Sequence, residues 1–242
     1  MSLAIALVSG KGGAGKSTAA AGLAHAFAAL GKRVLAVDCD IGLRSLDLLF
    51  GFSRELVFTW GDVLRNGCTL PQALLTRGNL SLLAAPLFPT EAYDTVVFEL
   101  LMHHLREKWD VILLDAPAGF PTGFALAAGA ADTALVLSQP EAVSARAAAS
   151  CMRELRSAYP KLPARLLVNR LYKRRVQGGV FLNIDETIDA VGAQLAGVIP
   201  EEPAVADTFG RGLPLPEDAP AARAFLRTAR RLLGENVPLN VE

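Results

Sequence analysis

Seven short apolar runs, alternating with longer helical patterns, constrain this chain more than any other feature. The runs cover residues 3–8, 33–37, 80–85, 110–114, 133–137, 165–168 and 195–199. Each is rich in Val, Ile, Leu or Ala and is bounded by Gly, Pro or Asp, the pattern of a buried strand. Between them, 17–30 is Ala-rich and stops at Gly31, and 91–108 follows Thr90, a candidate N-cap. Further helical patterns stop before Pro160 (141–159) and at Gly234 (221–233). Strands that are apolar along their whole length need cover on both faces. The expected fold is therefore α/β, a mostly parallel sheet with helices on both faces. One domain is expected over residues 1–234, with a short tail over 235–242; the proline-rich stretch 211–220 reads as a surface loop.

Composition narrows the function classes. Hydrophobic residues make up 52% of the chain and aromatics only 7%, so the core is built from Ala, Val and Leu. Twenty-four Lys and Arg balance twenty-four Asp and Glu, giving no global pull toward nucleic acid or an anionic membrane. The longest uncharged stretch, 116–131, is interrupted by Pro117, Pro121 and three glycines and falls short of the roughly 20 apolar residues a membrane span needs. The run 3–8 is too short for a signal-peptide core. Cys39, Cys68 and Cys151 are scattered, which suits reduced thiols and argues against a disulfide framework, a zinc site or an iron–sulfur cluster. A cytoplasmic location is expected.

The strongest chemical signal is Gly10-Lys11-Gly12-Gly13-Ala14-Gly15-Lys16-Ser17-Thr18. It matches G-x-x-x-x-G-K-[ST] and lies between a predicted strand and a predicted helix, the context in which that pattern binds phosphate. Glycines let the backbone curl so that its N–H groups face phosphate oxygens, and the helix that follows presents its positive end. Lys16 is expected at the β- and γ-phosphates of ATP, and Ser17 on Mg²⁺. A second strand ends in Asp38-Cys39-Asp40, and the strand 110–114 ends in Asp115. Carboxylates at the C-terminal ends of parallel strands lie where open α/β sheets bind ligands. Asp115 is expected to hold Mg²⁺ through water; Asp38 either orders the Mg²⁺ shell or caps the turn after it. Asn169 ends another strand, where an amide can read an adenine edge or form a turn.

Lys11 adds a second lysine to the loop, and Lys11-Gly12-Gly13-Ala14-Gly15-Lys16-Ser17 resembles the K-G-G-x-x-K-[ST] signature of the deviant P-loop ATPases, the MinD/ParA family. The run Asp38-Cys39-Asp40-Ile41-Gly42-Leu43-Arg44-Ser45-Leu46-Asp47 is similar to that family's MinD pattern D-x-D-x-G-L-R-N-L-D. Asp115-Ala116-Pro117-Ala118-Gly119 is similar to its D-x-P-A-G switch, and Gly197-Val198-Ile199-Pro200-Glu201 to the segment beside adenine. The resemblance implies ATP hydrolysis in a Mg²⁺-dependent, ATP-dependent homodimer that helps to place the division site. It implies that Lys11 reaches the partner subunit's nucleotide, that Asp40 positions the attacking water and that Gly119 senses the γ-phosphate. It also implies that Asn169, Arg170, Pro200 and Glu201 line the adenine side, and that a stimulating or effector protein of the division machinery binds.

Several residues depart from the family pattern. Ser45 replaces Asn, Phe120-Pro121 replaces Ile-Glu, and Ala147-Ala148-Ala149 follows Arg146 where aspartates are usual. The tail after Gly234 carries no Lys or Arg and contains Pro238, so it is not expected to form the family's membrane-binding amphipathic helix. Membrane association is then expected only peripherally, through a partner. The arginines of 221–233 are expected on the outer face of a helix that closes the domain. Two alternatives stay open: a ParA-type partition ATPase using Lys173-Arg174-Arg175 and Arg170 on DNA, and a metabolic phosphotransferase of the same superfamily.

Overall fold

The computed structural model describes residues 2–88, 93–119, 122–172 and 182–239. Its strands are β1 (Leu3–Ser9), β2 (Val34–Asp38), β3 (Leu74–Arg77), β4 (Leu80–Leu83), β5 (Val111–Ala118), β6 (Thr133–Ser138), β7 (Ala164–Leu171) and β8 (Leu195–Pro200). They form one sheet in the order β3-β4-β2-β5-β1-β6-β7-β8. Every pair is parallel except β3–β4. All seven apolar runs become strands, and the eighth, β3, was not anticipated. It is a four-residue edge strand whose Thr76 and Arg77 are exposed, so it carries no apolar run. It turns into β4 through Gly78, whose φ of 59° suits glycine.

The helices are α1 (Lys16–Ala29), α2 (Leu46–Leu49), α3 (Trp60–Leu64), α4 (Leu70–Ala73), α5 (Thr95–Leu105), α6 (Thr122–Gly129), α7 (Ala142–Ala158), α8 (Ile184–Val191), α9 (Pro203–Phe209) and α10 (Pro220–Leu232). Alternate strand residues feed two cores. Ala4, Ala6 and Val8 meet Phe98 and Met102 of α5, Phe124 of α6 and Ala145 and Ala148 of α7. Ile5 and Leu7 meet α1, Phe209 of α9 and Phe225 of α10 on the other face. The four anticipated helices form. α5 begins later than expected, capped by the Asp94 carboxylate, which accepts the Val96 N–H at 2.8 Å; Thr90 and Glu91 lie outside the described residues. α2, α3, α4, α6, α8 and α9 are additions, the first three only four or five residues long. α6 is mostly Ala, Gly and Phe and lacks the polar face that marks a surface helix, whereas α8 opens with an Asn183–Glu186 capping box and α9 has Pro203 in its first turn.

α10 buries Ala221, Ala224, Phe225, Thr228 and Ala229 and closes the α1 side of the sheet, as its amphipathic pattern implies. Gly22 of α1 permits the contact, because a Cβ there would collide with the Phe225 ring. Arg231 donates to the Ala196 carbonyl of β8 at 3.1 Å, to Val237 at 2.7 Å and to the Pro238 carbonyl, pinning the start of the tail. Arg165 donates to the neighbouring Leu195 carbonyl at 3.1 Å.

Candidate functional site

Residues 10–15 connect β1 to α1 at the C-terminal edge of the sheet. Gly13 and Gly15 adopt φ of 78° and 86°, a region costly for other residues. The loop is also packed from outside: a Cβ at Gly10 would collide with the Ala147 carbonyl, and one at Gly15 with the Asn169 amide. Two amides hold consecutive carbonyls. Gln139 Nε2 donates to Gly13 O and Asn169 Nδ2 to Ala14 O, each at 2.9 Å. Lys16 is buried, and its Nζ donates to Ser9 Oγ at 2.9 Å, which in turn donates to the Lys11 carbonyl at 2.8 Å. Burial pulls the Lys16 ammonium pKa down, while Asp115, Asp40 and Cys151 hold it up. The Lys11 side chain is exposed, with no ion-pair partner among the described residues.

Asp38, at the end of β2, pairs in register with Asp115 of β5, which runs on to Ala118 beyond the end expected at Asp115, and both are fully buried. Asp38 accepts the N–H groups of Asp40 and Ser45 at 2.9 Å and of Leu46 at 3.1 Å. Burial raises its pKa, the three backbone hydrogen bonds lower it, and the Asp40 charge adds to the rise. The capping alternative describes these contacts: Asp38 closes the turn leading into α2. Trp60 Nε1 donates to the Asp38 carbonyl at 2.8 Å and tightens the same corner. Neither Asp115 oxygen has a partner with hydrogen-bond geometry among the described residues, though the Ser17 hydroxyl lies near enough to favour its charged form. Burial and the Asp38 charge drive its pKa well up; the Ser17 hydroxyl and the Lys16 ammonium act the other way. A buried carboxylate without partners, beside a lysine and a serine at a glycine loop, fits the water shell of Mg²⁺.

Asp40 is half-buried, and burial raises its pKa against the pull of Lys16. Its carbonyl accepts the N–H of Arg44 at 3.0 Å and of Leu43 at 3.3 Å. The turn needs Gly42 at φ 94° and places Arg44 at φ 48°, where Arg44 pairs with buried Asp47 at 3.4 Å. Ser45 meets Asp38 through its backbone N–H, so the loss of an Asn side chain there leaves this contact intact. Gly119, at φ 77°, donates its N–H to Ser9 O at 3.2 Å, linking the β5 switch to the base of the loop. Phe120 and Pro121 lie outside the described residues. Thr18 lies in the first turn of α1.

On the adenine side, Arg170 and Glu201 form a two-point ion pair with each other at 2.6 and 2.9 Å. Arg170 sits at φ 58°, and the pair joins the ends of β7 and β8 where Pro200 lies opposite Leu171. Of the basic run, Lys173, Arg174 and Arg175 lie outside the described residues. Asn169 is buried, and one amide hydrogen is engaged by Ala14 O. The alanines of α7 also have a physical account: Ala148 is core and the Ala147 backbone lies against Gly10. Sequence reasoning missed Ser9 and Gln139; each lies one or two residues beyond a predicted strand that runs into the site, and that position was the available signal.

A parallel sheet, a glycine loop running into a helix and two acidic strand ends define a P-loop nucleotide-binding domain. Residues 5–215 match the CobQ/CobB/MinD/ParA nucleotide-binding domain, and the chain belongs to that family. Within it the chain is a MinD-like ATPase. It is 38% identical to the septum site-determining protein MinD of Helicobacter pylori, covering 98% of this chain and 92% of that one. Identity to MinD of Bacillus subtilis is 35%, over 100% of this chain and 92% of the relative. The MinC:MinD cell division protein complex of Aquifex aeolicus contains a chain that superimposes with a TM-score of 0.92 at 37% identity, over 99% of both. MinD of Pyrococcus horikoshii, complexed with Mg-ADP, gives 0.85 at 28% identity, over 96% of both. No helix among the described residues is long and apolar enough to cross a membrane.

Proposed function

We propose that this chain is an ATP-driven dimerising switch, hydrolysing ATP to ADP and phosphate during placement of the division site. The observation that carries it is the buried Lys16 ammonium, held by Ser9 at the base of the loop, together with the partnerless Asp115 carboxylate. Backbone N–H groups of Gly12, Gly13, Ala14 and Gly15 receive the phosphates, and Lys16 sets a positive charge beside them. Ser17 and Asp115 would hold Mg²⁺, the carboxylate through water. Mg²⁺, when bound, neutralises charge shared by the β- and γ-phosphates. Asp40, half-buried and close enough to Lys16 to feel its charge, orients the attacking water. Lys11, exposed on the loop, supplies charge to the nucleotide of a second subunit, so catalysis is complete only in the dimer. Asn169 reads adenine with its remaining amide hydrogen and its oxygen, beside Pro200. The likeness to MinD proteins and to the MinD chain of a MinC:MinD complex supports an effector protein as partner. The switch works in the cytoplasm and reaches the membrane through that partner.

Light scattering with ATP, followed by phosphate release, tests the proposal. Wild type dimerises and turns over slowly. Asp40→Ala holds the dimer without releasing phosphate, and Lys11→Ala stays monomeric. A Lys11→Ala protein that still dimerises with ATP removes the cross-subunit role, and normal turnover in Asp40→Ala removes Asp40 from the mechanism. The Asp40→Ala dimer is expected to sediment with neither anionic liposomes nor duplex DNA; binding to either would identify a direct surface.

A further inference from the structure

Gln139 stands between the phosphate loop and the first turn of α7, and the ATPase mechanism above does not use it. It directly follows β6. Ser138 and Ser144, both buried, lock this corner. The Gln139 N–H donates to Ser144 Oγ and Ser138 Oγ donates to the Gln139 carbonyl, each at 2.9 Å. With its backbone fixed, the Gln139 side chain reaches across to the Gly13 carbonyl at 2.9 Å. One strand further along the sheet, Asn169 does the same to the next carbonyl, Ala14.

The two contacts have a stereochemical consequence. In a planar trans peptide the C=O and N–H point in opposite directions. Holding the Gly13 carbonyl fixes the Ala14 N–H on the far side of that plane, and holding the Ala14 carbonyl fixes the Gly15 N–H. Loop N–H groups of this kind bind phosphate. A loop with glycines at 10, 12, 13 and 15 has wide backbone freedom, and ordering it on binding would cost affinity. Two amide posts remove part of that cost beforehand. Gly10 adds a second tie to the same helix, since it lies against the Ala147 carbonyl.

We propose that Gln139 is a positioning residue for the phosphate site, pre-setting the Ala14 N–H and tying the loop to the first turn of α7. This rests on the nucleotide-binding reading, and the test separates the two. Gln139→Met keeps the side-chain length and removes the donor at a partly exposed position. Calorimetric titration with MgADP should show wild type binding and Gln139→Met binding roughly 3–10-fold more weakly. The melting temperature of the free protein should stay within about 2 °C, as for a surface substitution. Ser144→Ala, which frees the Gln139 backbone, should weaken MgADP in the same direction by less. Hydrogen exchange should show MgADP protecting residues 10–15 and 142–146 together in wild type, with protection of 142–146 lost in Gln139→Met. Equal MgADP affinity in Gln139→Met, or a lower melting temperature with unchanged affinity, overturns the positioning role while leaving the nucleotide site standing. Wild type that binds no MgADP overturns both.

Discussion

Asp38 ends β2 and Asp115 lies opposite it in register on the adjacent parallel strand β5; they are equally buried, yet their hydrogen-bonding surroundings differ. Asp38 accepts three backbone N–H groups from the turn it closes; Asp115 accepts none. Burial disfavours both charges, but the three N–H groups offset part of that cost at Asp38, so Asp115 burdens the fold more. The pair separates a residue engaged in building the site from one kept open for what the site binds.

The largest expected effect comes from Asp115→Asn. Turnover with Mg²⁺ should fall by about two to three orders of magnitude, as when a charge-stabilising group is lost. The same change removes a buried carboxylate that repels Asp38, so the free protein should melt higher, by roughly 3–10 °C. Calorimetry of the nucleotide-free protein reads this directly, and a lower melting temperature would break the contrast. Asp38→Ala should act oppositely on stability. It strands three N–H groups, costs about 3–5 kcal/mol and lowers the melting temperature by roughly 10 °C.

His25 supplies a control remote from both acids. It lies between the rings of Phe50 and Phe209, with a buried, partnerless Nε2, and burial lowers its pKa to about 4. The unfolded chain takes up this proton below about 6.5 while the folded chain does not until about 4. Stability from this site is therefore complete above pH 6.5 and declines as pH falls toward 4, by about 3 kcal/mol at most. Urea unfolding from pH 7 to 4 should show that slope in wild type, and it should flatten in His25→Phe. The smallest effect belongs to Ser45→Asn. Because Asp38 holds the backbone N–H of residue 45, stability should change by less than about 0.5 kcal/mol in the same unfolding experiment.

The strands and the phosphate loop were legible because their signals are local. An apolar run, a glycine with positive φ and an acid at a strand end each announce themselves within a few residues. β3 was silent because an edge strand of four half-exposed residues buries too little to leave a pattern. The Arg170–Glu201 pair and the Gln139 strut were silent for another reason. Each joins residues far apart in the chain, 31 and 126 positions respectively, and only the sheet order brings them together. The same applies to the different fates of Asp38 and Asp115. Both read as acidic strand ends, and only the path of the turn toward α2 decides which one is satisfied.

β8 is one edge of the sheet, and its Leu195 and Ala196 carbonyls accept guanidinium N–H groups from Arg165 and Arg231 respectively. Pro200 closes the strand and offers no N–H. An exposed edge is a template on which a further strand can grow into an aggregate, and charges and proline on that edge are how soluble proteins block it. Arg231 of α10 thus acts partly as a guard against fibre-like stacking. Replacing Arg231 by a small apolar residue would show first as loss of clear solution on concentration.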